Sequence, residues 1–408
     1  MVNPSTLFEA ELDMLHRGRT GSAAAIFRAP ARVNLVGEHT DYSGGFCMPA
    51  ALDLTTSLAV SRRSDGELRI YSRDVDDSAT YPASGVIQPR GNGYWGDYVA
   101  GVYQQIARRG VRVPGADLTI AGNVPRNAGL SSSAALEVAS ALALLSLAGT
   151  HVPSRELALL CQAAENQFAS APCGIMDQFA SVHGRAGHAL ALDCRSLQYE
   201  LVPLPQNVRL VIINSMVKHS VAGKEYAERR SQVEDGVRLL QARFPSAGIR
   251  SLRDVSEAQL MQAQDAMPEV VFRRCRHVIT DSLRVLRGAE MLRAGNVTAF
   301  GELLLEAHAS YRDDFAASGA ACDMLVDIAA SVDGCYGARL TGGGFGGCIV
   351  AVAEAHRAEE VRERIVTRYR EATGIAADGW VCRAAEGAQP EGVANSEREW
   401  ILQGKERA

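Results

Sequence analysis

From about residue 25 to 120 the apolar positions fall in short runs, such as LTTSLAV and LRIYS, split by polar or glycine-containing turns. That pattern predicts a sheet-rich beginning. The period then changes to that of helices. In SSSAALEVASALALLSLAG, Ala135, Val138, Ala139, Leu142 and Leu145 recur at helical spacing and Gly149 marks the stop. A second helix opens with Pro153 and Ser154 as turn and N-cap and carries Leu157, Leu160, Cys161, Ala164 and Phe168 on its buried stripe. Past residue 185, HALALDC, LQYELVPL and VRLVIINS read as strands, and a crossing between two domains is expected near Pro203 to Asn207. Interleaved charged and apolar residues predict helices over about 222–332. A βαβ-like ending follows: CYGARL, a glycine loop, CIVAVA, a helix over 355–373 and GWVCRA. From Glu386 the chain is polar and is expected to be loosely held. The expectation is therefore a mixed α+β chain with domains over 20–204 and 205–385 and a polar tail over 386–408.

Composition narrows the class of partner. A chain of 408 residues exceeds the usual size of one compact domain, and 47% hydrophobic residues can fill two cores around a cleft. With 42 Lys+Arg against 47 Asp+Glu, the formal net charge is -5, and no basic stripe suited to nucleic acid or an anionic membrane is present. A small-molecule partner is expected instead. The start, MVNPSTLFEAELDML, lacks the basic and apolar regions of a signal peptide, and no run reaches the ~18 apolar residues of a membrane span, so a cytoplasmic location is expected. Nine cysteines, an odd number with no CxxC pair, read as reduced, buried thiols in preference to a disulfide framework or a zinc site.

Four segments carry candidate chemistry. GNVPRNAGLSSSAAL runs from a strand through a turn into a helix start, where unpartnered N–H groups and the macrodipole favour an anion such as phosphate. Gly129 permits close approach, and Ser131, Ser132 and Ser133 offer hydroxyls; a purely structural capping turn is the competing reading. No Lys follows the glycine, so this is not the common GxxxxGK[ST] loop. In APARVNLVGEHTDYSGGFCMP, a strand with Val33 and Leu35 on one face and Arg32 and Asn34 on the other empties into a loop with Glu38, His39 and Asp41. Those groups suit a polyhydroxyl ligand, or simply a hydrophilic turn. CQAAENQFASAPCGIMDQFASVHG places Glu165 beside the buried face of the second helix, as a magnesium ligand or a surface ion-pair partner. Asp177 stands among Ile175, Met176 and Phe179 after a Pro172/Gly174 turn, where it must be paired with a cation such as Arg32, be protonated or cap the next helix. LTGGGFGGCIV joins two strands through five glycines, which fits backbone packed against another loop or a ligand.

Together RVNLVGEHTDYSGG, GLSSSAALEVA and LTGGGFGGC, supported by CGIMDQF and VKHSVAGKEYAERR, resemble the galactokinase branch of the GHMP kinase superfamily over about residues 25–385. The resemblance implies an N-terminal domain like the second domain of ribosomal protein S5, a C-terminal GHMP kinase α+β domain, and an active site between them. It implies sugar contacts at Arg32, Glu38, His39, Asp41, Gly174, Asp177 and Tyr226. ATP phosphates would lie over Gly129, Leu130, Ser131, Ser132, Ser133 and Ala134, with Mg²⁺ held by Ser132 or Ser133 and Glu165, and Trp95 and Tyr98 on the adenine side. Asp177 would act as catalytic base, with Arg32 stabilising its charge and offsetting that of the phosphoryl group. The implied reaction makes galactose 1-phosphate from galactose and ATP, by a monomer; a kinase for N-acetylgalactosamine or arabinose, or a non-catalytic galactose sensor, are the alternatives. Ala31 stands where the family usually has glycine, and RNAG at 126–129 is poorer in glycine than its usual loop, although Asn127 tolerates a left-handed conformation.

Overall fold

A computed structural model describes residues 4–125, 128–169, 173–218 and 222–390. The left-handed turn expected at Asn127, the turn at Pro172, residues 219–221 of VKHSVAGKEYAERR and the tail from 391 lie outside these residues.

The N-terminal half contains α1 (Pro4–Thr20), β1 (Ala25–Asn34), β2 (Phe46–Cys47), β3 (Pro49–Arg63), β4 (Glu67–Ser72), β5 (Asp77–Pro82), α2 (Gly96–Arg108), β6 (Gly115–Gly122), α3 (Ser132–Leu147), α4 (Ser154–Gln167), α5 (Met176–His183), β7 (His188–Asp193) and β8 (Tyr199–Pro203). The C-terminal half contains β9 (Val208–Lys218), α6 (Ala222–Arg243), α7 (Glu257–Gln262), α8 (Glu269–Arg293), α9 (Val297–Asp313), α10 (Ala320–Ala330), β10 (Cys335–Leu340), β11 (Gly346–Glu354), α11 (Ala358–Thr373), β12 (Asp378–Cys382) and β13 (Gln389–Pro390). Three sheets result, ordered β13-β1-β3-β6-β4-β5, β2-β7-β8 and β10-β11-β9-β12. The last is a split βαβ, because β11 and β12 both pair antiparallel with β9 between them.

The strands and helices expected beyond residue 130 are present with end-point differences. Ser154, expected as an N-cap, is the first helical residue, with Pro153 in the cap position. Helix α2, inside the stretch read as strands, is a correction: Val99, Val102, Tyr103 and Ile106 are buried at helical spacing, but their β-branched and aromatic character imitates a strand. The polar segment from Glu386 is also not all loose. Ala388 is fully buried, and Phe27 and Arg28 of β1 pair with Pro390 and Gln389, so the chain returns to the first sheet.

Two local features position the site. Helix α3 is buried almost all round from Ala134 to Leu145, so its N-terminus is held rigidly against the first sheet. Pro30 cannot donate to the ladder, and the β1–β3 register shifts between Pro30 and Arg32. The Arg32 N–H leaves the ladder and donates to the Leu130 carbonyl, 3.2 Å away, tying β1 to the loop before α3.

Candidate active site

The loop from Ala128 to Ser131 reaches α3 through two left-handed residues, Gly129 (φ 74°) and Ser131 (φ 56°). Ser131 occupies the N-cap position yet makes no capping bond; its hydroxyl donates to Asp177 instead. Among the described residues the N-cap side chain thus leaves the first N–H groups of α3 uncapped, which is the condition for anion binding at a helix start. They border a cavity of about 440 Å³ whose walls include Gly129, Leu130, Ser131, Ser132, Ser133, Trp95 and Tyr98. Ala134, buried behind the loop, is not among those lining residues. Asp77 fixes the aromatic wall, accepting from Trp95 Nε1 at 2.9 Å and the Tyr94 hydroxyl at 3.0 Å.

A second cavity, about 340 Å³, is lined by Arg32, Glu38, His39, Asp41, Glu165, Gly174, Asp177 and Tyr226 among others. All seven residues expected to contact a sugar thus share one chamber. Glu38 Oε1 accepts from the Gly342 N–H at 2.9 Å, and burial, only partly opposed by Arg339, pushes its carboxyl up to about 7. Burial and the neighbouring Asp177 raise Asp41 to about 6. His39, at φ 59°, engages both ring nitrogens, one with the Tyr42 hydroxyl at 3.0 Å and the other with the Tyr311 hydroxyl at 3.1 Å and the Gly343 carbonyl at 3.2 Å. Burial and nearby His277 push it down to about 3, so it is a neutral spacer between the sugar loop and the glycine loop.

Those glycines are the close-packing device expected of them. A Cβ on Gly342 would lie 3.1 Å from the Gly129 carbonyl, and one on Gly344 would lie 2.4 Å from that of Ala317. Gly174 is tighter still, since its Cβ would fall 1.7 Å from Asp41 Oδ2. Gly174→Ala should therefore displace Asp41 and weaken sugar binding roughly 10- to 100-fold with nucleotide affinity retained, as read by calorimetry.

Helix α8 clamps the sugar loop from behind. Asp281 Oδ2, fully buried, accepts the N–H groups of Gly37 and Glu38 at 3.0 and 2.8 Å, and His277 meets the Glu38 carbonyl at 3.3 Å. Burial holds the His277 pKa down at about 4, against 6.5 for a free imidazole. The unfolded chain thus binds the proton first. His277 does not penalise folding above about pH 6.5, and stability falls as pH drops toward 4, by roughly 2–3 kcal/mol. Urea unfolding from pH 7 to 4.5 should show a shallower slope in His277→Gln.

The two cavities meet at Arg32, Asp177 and Gly343, which line both. Arg32, 4% exposed, forms a two-pronged pair with Asp177, Nε to Oδ1 and Nη2 to Oδ2, both at 2.7 Å. Its Nη1 donates to the Gly129 carbonyl at 2.7 Å. Burial disfavours the guanidinium charge, but Asp177 more than offsets that and raises its pKa. Of the roles open to Asp177, pairing with Arg32 is the one observed. It sits in the first turn of α5, where no side chain caps the helix.

Glu165 is not a surface ion-pair partner. It is 7% exposed, accepts from Gln178 Nε2 at 2.5 Å and hydrogen-bonds Ser133, and burial together with Asp177 raises it to about 7. Among the described residues no cluster of three or more His, Cys, Asp or Glu could hold a metal by itself. One carboxylate with Ser132 and Ser133 is nevertheless the hard-oxygen set that Mg²⁺ uses when phosphate completes its shell, and a cation there would relieve the repulsion between Glu165 and Asp177. The residues present fit the ion.

Glu137, Gln178 and Asp281 were not legible as site residues. Glu137 and Gln178 did leave a signal, as polar side chains on otherwise apolar helix faces within LEVA and MDQF.

Such a pair of joined chambers, one with a helix start for phosphates and one rich in hydroxyl partners, defines a small-molecule kinase. Residues 97–185 match the family model for the GHMP kinases N terminal domain and 289–371 that for GHMP kinases C terminal, so the chain belongs to the GHMP kinases. Residues 14–62 match the galactokinase galactose-binding signature. Galactokinase of Roseiflexus sp. is 46% identical over 362 residues, 89% of this chain and 92% of that one; galactokinase of Chloroflexus aggregans is 42% identical over 363, with the same coverage. The crystal structure of Lactococcus lactis galactokinase complexed with galactose superposes with a TM-score of 0.88 at 31% identity, covering 94% of this chain and 100% of that one. Within the GHMP kinases, the chain belongs to the galactokinase family.

Proposed function

We propose that the protein transfers the γ-phosphoryl group of ATP to the anomeric hydroxyl of α-D-galactose, giving galactose 1-phosphate and ADP. The observation that carries this reading is the shared wall: Arg32 and Asp177 line both cavities, so a hydroxyl in one can face a phosphate in the other. The sugar-signature match and the galactose bound by the Lactococcus lactis relative support the choice of sugar.

Three carboxyl groups besides Glu165 face the sugar cavity, and their surroundings separate their roles. Glu38 is tied to the Gly342 amide and Asp41 abuts Gly174, whereas Asp177 also borders the phosphate loop. Asp177 accepts the hydroxyl proton as oxygen attacks phosphorus, while Arg32 holds the carboxylate in place and offsets charge on the phosphoryl oxygens. The amides at the start of α3 bind the phosphates, and Trp95 and Tyr98 flank the base. Mg²⁺, held by Glu165 and Ser132 or Ser133, would neutralise phosphate oxygen charge. Nine cysteines outside any disulfide, including Cys47 and Cys194 with sulfurs 3.4 Å apart, fit a reducing compartment, and we place the enzyme in the cytoplasm.

An ADP-release assay over galactose, N-acetylgalactosamine, arabinose and glucose tests the proposal, with NMR of the product locating the phosphate. Galactose should turn over best and the phosphate should sit on the anomeric oxygen. Tight binding of ATP and galactose with no ADP release would replace the kinase with a sensor.

A further inference from the structure

Helices α3, α4 and α5 each send one polar side chain to a point beneath the phosphate loop. Gln178 Nε2 donates to Glu165 Oε2 at 2.5 Å and to Glu137 Oε2 at 3.0 Å, so both amide hydrogens are used. Gln178 and Glu137 are fully buried. Among the described residues, Glu137 Oε1, Gln178 Oε1 and Ser140 Oγ have no hydrogen-bond partner. A core selected for stability alone would place apolar side chains there, because unsatisfied buried polar atoms are destabilising.

We propose that the Gln178 amide, held in turn by Glu137, positions the Glu165 carboxylate for the cation that accompanies the nucleotide. This rests on the reading of Glu165 as a cation ligand. Three details support it. Glu165 Oε2 is occupied from two sides, by Gln178 and by Cys173 Sγ at 3.4 Å, which directs coordination to Oε1. Gln178 directly follows Asp177 in the first turn of α5, so one turn of helix sets both the base and the carboxylate. Glu137 lies on α3 one turn beyond Ser133, which itself bonds Glu165, so the bridge fixes the phosphate loop and the carboxylate against each other. Partners of this kind orient a ligand and tune its affinity for the metal without touching it.

The test uses the full chain with a non-hydrolysable ATP analogue and Mn²⁺ as probe, counting free Mn²⁺ by electron paramagnetic resonance; galactose calorimetry reports on folding. Gln178→Met and Glu137→Met should each weaken Mn²⁺ binding to the nucleotide complex about 10- to 100-fold with galactose affinity held. The double variant should be no weaker than the worse single, and Glu137→Gln, which keeps an acceptor for the amide, should restore binding relative to Glu137→Met. Should Glu137→Met fail to fold, Gln178→Met and Glu137→Gln still decide the matter. Wild-type Mn²⁺ binding in Gln178→Met beside a clear loss in Glu165→Gln overturns the bridge alone. Undiminished binding in Glu165→Gln as well overturns the ligand role of Glu165 and the bridge with it.

Discussion

Asp177→Asn should lower kcat by roughly 10²- to 10⁴-fold, the usual contribution of a positioned general base. The substitution is nearly isosteric, and its amide oxygen can still accept from one Arg32 nitrogen. Its NH₂ group, however, would face an Arg32 N–H in either orientation, a donor against a donor. Galactose affinity should change only a few-fold, because Glu38, Asp41 and Tyr226 line the same cavity, so the loss appears in turnover and not in sugar affinity. A lower melting temperature should accompany it, because Arg32 is left buried without its counter-charge. Single-turnover kinetics with calorimetry separates these effects. Retention of a tenth or more of wild-type turnover would remove Asp177 from the role of base.

Arg32→Lys should be almost as damaging, at roughly 10²- to 10³-fold in kcat/KM, with a different signature. The guanidinium makes three bonds at 2.7 Å in a fixed fork, two to Asp177 and one to Gly129, and an ammonium on a flexible stem cannot reproduce that plane. Because Arg32 lines both cavities and its backbone also joins the Leu130 carbonyl, KM for ATP and for galactose should rise together. A change confined to one substrate would show that Arg32 does not serve both chambers.

How much of this was legible depended on whether a residue's signal was local. The helix start after GLSSS, the glycine loop and the hydroxyl-binding cluster Glu38, His39 and Asp41 are written in contiguous residues whose types suit the chemistry. Helix α2 was missed because Val, Tyr and Ile at helical spacing resemble a strand when read one residue at a time. Asp281 lies 244 residues from Gly37, and nothing near it marks a loop anchor. Glu137 and Gln178 are polar in apolar company, but the Gln178 amide joins Glu137 to Glu165 across three helices, which nothing local to either residue marks.

The sequence alone determined the class of chemistry: a helix N-terminus open to phosphate, carboxylates for a polyhydroxyl ligand, and a charge balance that leaves a small molecule as partner. Backbone preferences and residue types act over a few positions, so they survive in the linear order. Only the tertiary structure decided that Asp177 is the acid paired with Arg32 on the wall shared by the two cavities, that His39 is a spacer with both nitrogens engaged, and that Glu165 is buried over an amide bridge. Those properties arise from burial and from polar groups brought together across 13 to 304 residues of chain, and distance along the chain carries no record of distance in space.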